Sequence, residues 1–253
     1  MLSGKRALVT AASAGLGRAC AEKLATEGCR VAICARGREA LDEAARFIGA
    51  VPIPADLANA TDAIRLAETA AAALGGLDIV VVNAGHVAYG DIESLADRDW
   101  EAAFQMLLLG AARLVRGAIP HLRAARGGSI VFIGSASVRN PPPHLLLSSV
   151  MRLGVAGLAK TLASHLAKDG IRVNVVAPGY FETGRVQRRI LARQAEGISA
   201  QEAMQEVAGS VPIGRIGRAE ELAEMVAFLA SDKCGFMTGA HIPIDGGATP
   251  YPL

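Results

Sequence analysis

Residues Ala7 to Arg18 read A-L-V-T-A-A-S-A-G-L-G-R. The apolar run Ala7, Leu8 and Val9 stops at Thr10 and passes through small residues to Gly15 and Gly17. These open the Ala-rich segment Ala19 to Glu27, whose apolar positions recur at helical spacing and which Gly28 is placed to cap. The pattern is strand, tight turn, helix. A turn of this kind lets backbone N–H groups and the positive helix end approach a phosphate without side chains in the way, and the pyrophosphate of a dinucleotide is the expected occupant. The spacing is not the full G-x-G-x-x-G fingerprint, so a packed turn without a ligand is the competing reading at this stage.

Outward from this turn, apolar runs alternate with helical patterns to the end of the chain. Strands are expected at Arg6 to Thr10, Arg30 to Ala35, Val51 to Ala55, Asp78 to Asn83, Ser129 to Gly134, Ile171 to Ala177 and His241 to Ile244. Helical periodicity covers Arg18 to Glu27, Glu39 to Phe47, Thr61 to Leu74, Asp97 to Arg126, Leu145 to Asp169 and Ala219 to Ala230. Gly28, Gly75 and Gly170 stand where helix ends want them. Continuously apolar strands alternating with helices predict an α/β fold: a doubly wound, Rossmann-type parallel sheet of about seven strands covered on both faces. No internal repeat or linker divides the chain, so residues 1–253 are expected to form one domain.

Composition bounds the function. Half of the 253 residues are hydrophobic, and 26 basic against 24 acidic residues leave a formal charge of +2 without a basic block, so nucleic acid and anionic membranes are not expected partners. Cys20, Cys29, Cys34 and Cys234 lie in apolar surroundings without metal-ligand spacing, which predicts buried reduced thiols and no metal site. The first strand begins almost at Met1, no signal peptide is expected, and no uninterrupted apolar run reaches the roughly 20 residues of a spanning helix. A cytoplasmic location is the resulting expectation.

In doubly wound sheets ligands bind at the carboxyl ends of the strands. After the second strand comes Arg36, with no acidic residue before Glu39; a cation here suits a ribose 2′-phosphate and favours NADP, with NAD the alternative. After the third come Asp56 and Leu57, where a carboxylate can accept from an adenine amino group or simply start a turn. After the fourth come Asn83, Ala84 and Gly85, small enough to line a cofactor.

Taken together, Thr10 to Gly17, Asp56, the D-I-V-V-V-N-A-G of Asp78 to Gly85, Ser135, the I-R-V-N-V-V-A-P-G of Ile171 to Gly179 with Thr183, and the C-terminal G-R-I-G-R-A-E-E-L-A and I-D-G-G resemble the short-chain dehydrogenase/reductase family, in its 3-oxoacyl carrier-protein reductase-like branch. The resemblance covers essentially the whole chain. It implies that Ser13, Ala14, Gly15, Leu16 and Gly17 hold a dinucleotide pyrophosphate after Thr10, that Asp56 and Leu57 face the adenine, and that Asn83, Ala84 and Gly85 face its ribose. Pro178, Gly179 and Thr183 would meet the nicotinamide. It also implies a small-molecule substrate and a homo-oligomer, tetramer or dimer, built through helices at Trp100 to Arg126 and Leu145 to Asp169, where Gly154, Ala156, Ala159 and Ala163 suit close packing between or within subunits.

The catalytic set departs from the family pattern. Its serine is present as Ser135, but its tyrosine and lysine positions hold Ser148 and Arg152, and its helix asparagine is Leu107. Val82 and Ala11 replace a further asparagine and the first glycine of the turn. A serine hydroxyl is a far weaker acid than a phenol, and an arginine keeps the charge of lysine on a larger, flatter and permanently protonated group. Tyr180, directly after Pro178 and Gly179, His86, directly after Asn83 to Gly85, and His144, in the loop before Ser148, are the candidate substitute donors, and the loop Arg139 to His144, stiffened by Pro141, Pro142 and Pro143, is expected to wall the pocket. A lid near 184–211 is expected to form two short helices split near Gly197, with Arg185, Arg188, Arg189 and Arg193 most simply on a solvated face. Two readings remain at this stage: an NADP-dependent oxidoreductase of small carbonyls or alcohols with an unorthodox proton donor, or a non-redox, cofactor-binding regulatory protein on the same scaffold.

Overall fold

The computed structural model describes residues 2–250, apart from the side chains of Arg185, Arg188 and Arg189. Seven strands, β1 (Arg6–Thr10), β2 (Arg30–Ala35), β3 (Val51–Pro54), β4 (Ile79–Val82), β5 (Gly128–Ile133), β6 (Ile171–Pro178) and β7 (His241–Ile244), form one parallel sheet in the order β3-β2-β1-β4-β5-β6-β7. The expected α/β doubly wound architecture is therefore what the chain adopts.

Alternation along the inner strands explains the two layers. Ala7 and Val9 of β1, with Ile79 and Val81 of β4, face one core. That core holds side chains of α1 (Gly15–Thr26), α2 (Arg38–Ile48) and α9 (Ala219–Ala230). Leu8, Val80 and Val82 face the other, with α3 (Ala60–Leu74), α5 (Gly110–Ala124) and α6 (Leu146–Leu166). Ala159 and Ala163 are buried in this second core, and Gly154 lies against Leu108, so these small residues serve packing within the chain. All four cysteines are buried, and burial pushes the Cys20 and Cys34 thiols up to about 12 and Cys29 up to about 11.

Differences from expectation cluster at element ends and in one helix. α1 starts at Gly15 rather than Arg18, because the small residues of the turn already wind helically. The expected helix 97–126 is interrupted: α4 (Asp97–Ala103) runs into a π-helical stretch, Phe104–Leu109, before α5. There the Gly110 N–H donates to the Gln105 carbonyl, and a Cβ at Gly110 would overlap the Leu57 carbonyl. The extra residue lets the helix pass that backbone. The lid forms α7 (Gly184–Ala195) and α8 (Ala200–Gly209), closed by its own cluster of Val186, Ile190, Ala203, Val207 and Ile216. Stretches 97–124 and 146–169 have the length and composition of spanning helices, which a search for uninterrupted apolar runs overlooks. Here each lays one side on the sheet core.

At the amino ends of β1 and β4, Arg6 and Asp78 form a bidentate pair, Nε to Oδ2 at 2.7 Å and Nη2 to Oδ1 at 3.0 Å, and the Arg6 N–H also donates to Asp78 at 2.8 Å. Burial alone raises the Asp78 carboxyl, but the Arg6 bonds outweigh it and hold it below the usual carboxylate range. A carboxyl lowered on folding adds stability above its unfolded pKa, about 3.9, and loses it as pH falls through the folded value. Asp78→Asn is therefore expected to lower the urea midpoint at pH 7 and to converge on the parent protein below about pH 4; a constant gap down to pH 3 would contradict the assignment.

Candidate functional site

The strand order reverses between β1 and β4, whose following helices lie on opposite faces of the sheet. Thr10 bridges the two. Its hydroxyl donates to the Asn83 carbonyl at 2.6 Å and accepts the Asn83 N–H at 2.9 Å, while Asn83 Nδ2 donates to the Ala11 carbonyl at 3.3 Å. The Ala12 N–H donates to the Cys34 carbonyl at 3.0 Å, fixing the turn to β2 as well. A Cβ at Gly17 would overlap the Ala11 carbonyl and lie 2.7 Å from Asn83 Nδ2, so only glycine fits under this bridge.

Above the bridge, α1 begins at an extended Ala14 that offers no side-chain cap. Its first N–H groups and positive end face outward past exposed Ala14 and Gly15, with Ser13 half-buried beside them. Leu16 packs on the core, so only its backbone serves this rim. Thr183 stands opposite, 3.7 Å from where a Gly15 Cβ would lie. The uncapped donors and the absence of side chains fit a pyrophosphate.

The other expected residues line the same edge of the sheet. Arg36 is exposed directly after β2. Asp56 accepts the Ala58 N–H on Oδ1 at 3.0 Å, an Asx turn that sets its carboxylate after β3. Leu57, expected beside an adenine, turns its side chain into the core, leaving its backbone for any ligand. Ala84 and Gly85 are half-buried after β4. Pro178 ends β6, and Gly179 donates to the Ile244 carbonyl at 3.0 Å where a Cβ would lie 2.7 Å from the Asp245 Cβ.

Ser148 and Arg152 share one cleft with Gly85, His86, Val87, Ala88, Tyr89 and Leu145. Ser148 is buried, and Arg152 Nη1 donates to the Ile133 and Gly134 carbonyls at 2.8 and 3.2 Å, at the end of β5. That edge of the guanidinium holds the end of β5. The longer, forked side chain makes this reach available. Ser135, buried next to the Gly134 carbonyl that Arg152 bonds, does not itself line this cleft; its Oγ lies 2.8 Å from Ser137 Oγ and accepts the Ser137 N–H at 3.1 Å, capping a single 3₁₀ turn.

Leu107 is buried in the π-helical stretch with Leu147, Met151, Ala84 and Val87, a dry cluster behind the cleft. Tyr180 is not in this cleft. It packs on the lid cluster and lines a separate cleft with Phe181, Ile213, Arg215 and Asp245, because β6 ends pressed against β7. In that second cleft Arg215 grips Glu221 at 2.8 and 2.6 Å and holds its carboxyl down to about 2. His144 is exposed, and it is its carbonyl, not its ring, that takes part, accepting the Gly90 N–H at 3.1 Å. The three prolines before it do not line the cleft that holds Ser148. Arg193 pairs with Glu196 and Glu206 on the lid surface, whereas the expectations for Arg185, Arg188 and Arg189 fall on side chains outside those described. Tyr89 was not expected here; its one signal in the sequence is that it follows Gly85 in the loop after β4.

Comparison with known proteins matches these features. The family model described as enoyl-(acyl carrier protein) reductase matches residues 10–249. The chain is 33% identical over 251 residues to dehydrogenase/reductase SDR family member 4 of Caenorhabditis elegans, covering 96% of this chain and 95% of the relative. It is 34% identical over 252 residues to the 3-oxoacyl-(acyl-carrier-protein) reductase FabG of Escherichia coli strain K12, covering 96% and 97%. An L-sorbose reductase from Gluconobacter frateurii, solved with NADPH and L-sorbose, superposes with a TM-score of 0.95 at 32% identity over 99% of this chain and 98% of that one. An actinorhodin polyketide ketoreductase variant solved with NADPH superposes with a TM-score of 0.92 at 31% identity over 99% and 100%.

Ala11 carries a Cβ at φ 47°, in the left-handed region. This conformation costs roughly 1–2 kcal/mol in a non-glycine residue, against roughly 0.5–1 kcal/mol of extra backbone entropy for glycine. Ala11→Gly is expected to raise the unfolding temperature by about 2 °C, read by calorimetry. A fall of similar size would show that the turn is unstrained.

Proposed function

This chain belongs to the short-chain dehydrogenase/reductase family, and we propose that it is an NADP-dependent oxidoreductase of a small carbonyl or alcohol in which Ser148 and Arg152 replace the usual tyrosine and lysine. The observation that carries this reading is the uncapped α1 start above the Thr10–Asn83 bridge, with exposed Arg36 one strand away. The NADPH-bound reductases that superpose on the chain support it.

In this reading the N–H groups of Ser13 to Gly17 bind the pyrophosphate, and Arg36 pairs with the 2′-phosphate. Asp56 accepts from the adenine amino group, Asn83 to Gly85 line its ribose, and Pro178, Gly179 and Thr183 flank the nicotinamide. When bound, the reduced nicotinamide supplies hydride. Ser135 orients the substrate oxygen through its hydroxyl, already fixed by Ser137. Arg152 stabilises negative charge in the cleft, and the dry packing around Leu107 keeps water from reaching the cleft through the helices. Two copies pairing across the exposed Phe104, Val150 and Leu153 belong to the same reading.

Calorimetric titration tests it. NADPH is expected to bind at least about 10-fold tighter than NADH, and Arg36→Ala to weaken NADPH by about 10- to 100-fold, the worth of a charge-assisted phosphate contact, while leaving NADH nearly unchanged. The parent protein with NADPH is expected to reduce at least one member of a ketone, quinone and 3-oxoacyl thioester panel. Equal affinity for both cofactors would remove Arg36 from the site, and binding without any turnover would favour the non-redox reading.

A further inference from the structure

We infer that the proton donor missing from α6 is supplied from the loop after β4, by the phenol of Tyr89. This deepens the oxidoreductase reading and rests on it.

Tyr89 lines the same cleft as Ser148 and Arg152, on the wall facing α6. Its position is built in. The next residue, Gly90, donates to the His144 carbonyl at 3.1 Å and bridges to Leu145, immediately before α6. Gly90 has φ 158°, and a Cβ there would lie 2.7 Å from Ser94 Oγ and 2.9 Å from Leu95 Cγ, so the loop closes on itself at this point. The loop is therefore stapled beside the very turn of helix that carries Ser148. Tyr180 lines another cleft, so among the described residues Tyr89 is the phenol in this one.

His86 shares the wall and is the competing donor. A phenol enters the step as a neutral acid, the form that a cleft holding the permanent guanidinium of Arg152 admits without like-charge repulsion. Exposure completes the case. Tyr89 is 52% exposed, so its side chain stands at the solvent edge of the cleft rather than behind it. A buried donor needs an internal chain of water, and the side of the cleft reached through Val87 and Leu107 is apolar.

Once the carbonyl carbon has received hydride from a reduced nicotinamide dinucleotide, the substrate oxygen holds the electron pair of the former π bond. The Tyr89 O–H bond breaks, an O–H bond forms on that oxygen, and the phenolate regains its proton from solvent.

The test pairs Tyr89→Phe with 3-nitrotyrosine incorporated at position 89, using the panel carbonyl that the parent protein reduces fastest. Tyr89→Phe is expected to lower kcat/KM about 10²- to 10⁴-fold, the worth of a positioned general acid, while leaving NADPH affinity by calorimetry within twofold. Without turnover, the visible band of the nitrophenol is expected to change when that carbonyl is added with oxidised NADP. An effect of Tyr89→Phe under threefold, a nitrophenol band blind to the carbonyl, or His86→Gln alone abolishing activity would each overturn the assignment of Tyr89. A parent protein inert towards the whole panel would overturn the oxidoreductase reading itself, and the inference with it.

Discussion

The hydroxyl of Thr10, donating to the carbonyl and accepting the N–H of Asn83, is the contact on which the site depends. It holds together two strands whose crossover connections run in opposite directions and whose ends would otherwise be free to part. The Arg6–Asp78 pair fastens the same two strands at their other end. With both ends tied, the loops after β4 and β6 meet the turn before α1, Asn83 through its bond to Ala11 and Thr183 opposite Gly15. Gly17 is then forced by distance alone, because a side chain there would strike the bridge.

On this frame the start of α1 offers small residues and unused helix donors. Beneath α6, Ser148 and Arg152 line a cleft in which part of the guanidinium turns inward to the carbonyls of β5. Leu107 sits in the π-helical stretch, where it joins Leu147 and Met151 rather than opening to water. An apolar cluster, a cation and a half-exposed tyrosine thus meet around one cleft.

The sheet was legible in the sequence because each inner strand is apolar on both faces, and runs such as Ile79 to Val82 have no other use. The lid helices were legible through their periodicity and the break at Gly197, and the structure adds the capping pair Ser199 and Glu202 at the start of the second. The π-helical stretch was not, since it answers to the Leu57 backbone on another element and leaves the local periodicity intact. Side-chain direction was the other gap. The course of Arg152 towards β5, the burial of Leu57 and the separation of Tyr180 from Ser148 depend on which elements meet, not on spacing along any one of them. Tyr89 escaped notice for the same reason, because only the staple from Gly90 to the start of α6 brings it into the cleft.

A crystal structure grown with NADP and a carbonyl compound tests the whole arrangement at once. Density for the pyrophosphate over the start of α1, the 2′-phosphate at Arg36 and the Tyr89 oxygen within hydrogen-bond distance of the carbonyl is the expected result. An empty bend between β1 and α1, with cofactor bound elsewhere or not at all, would contradict it.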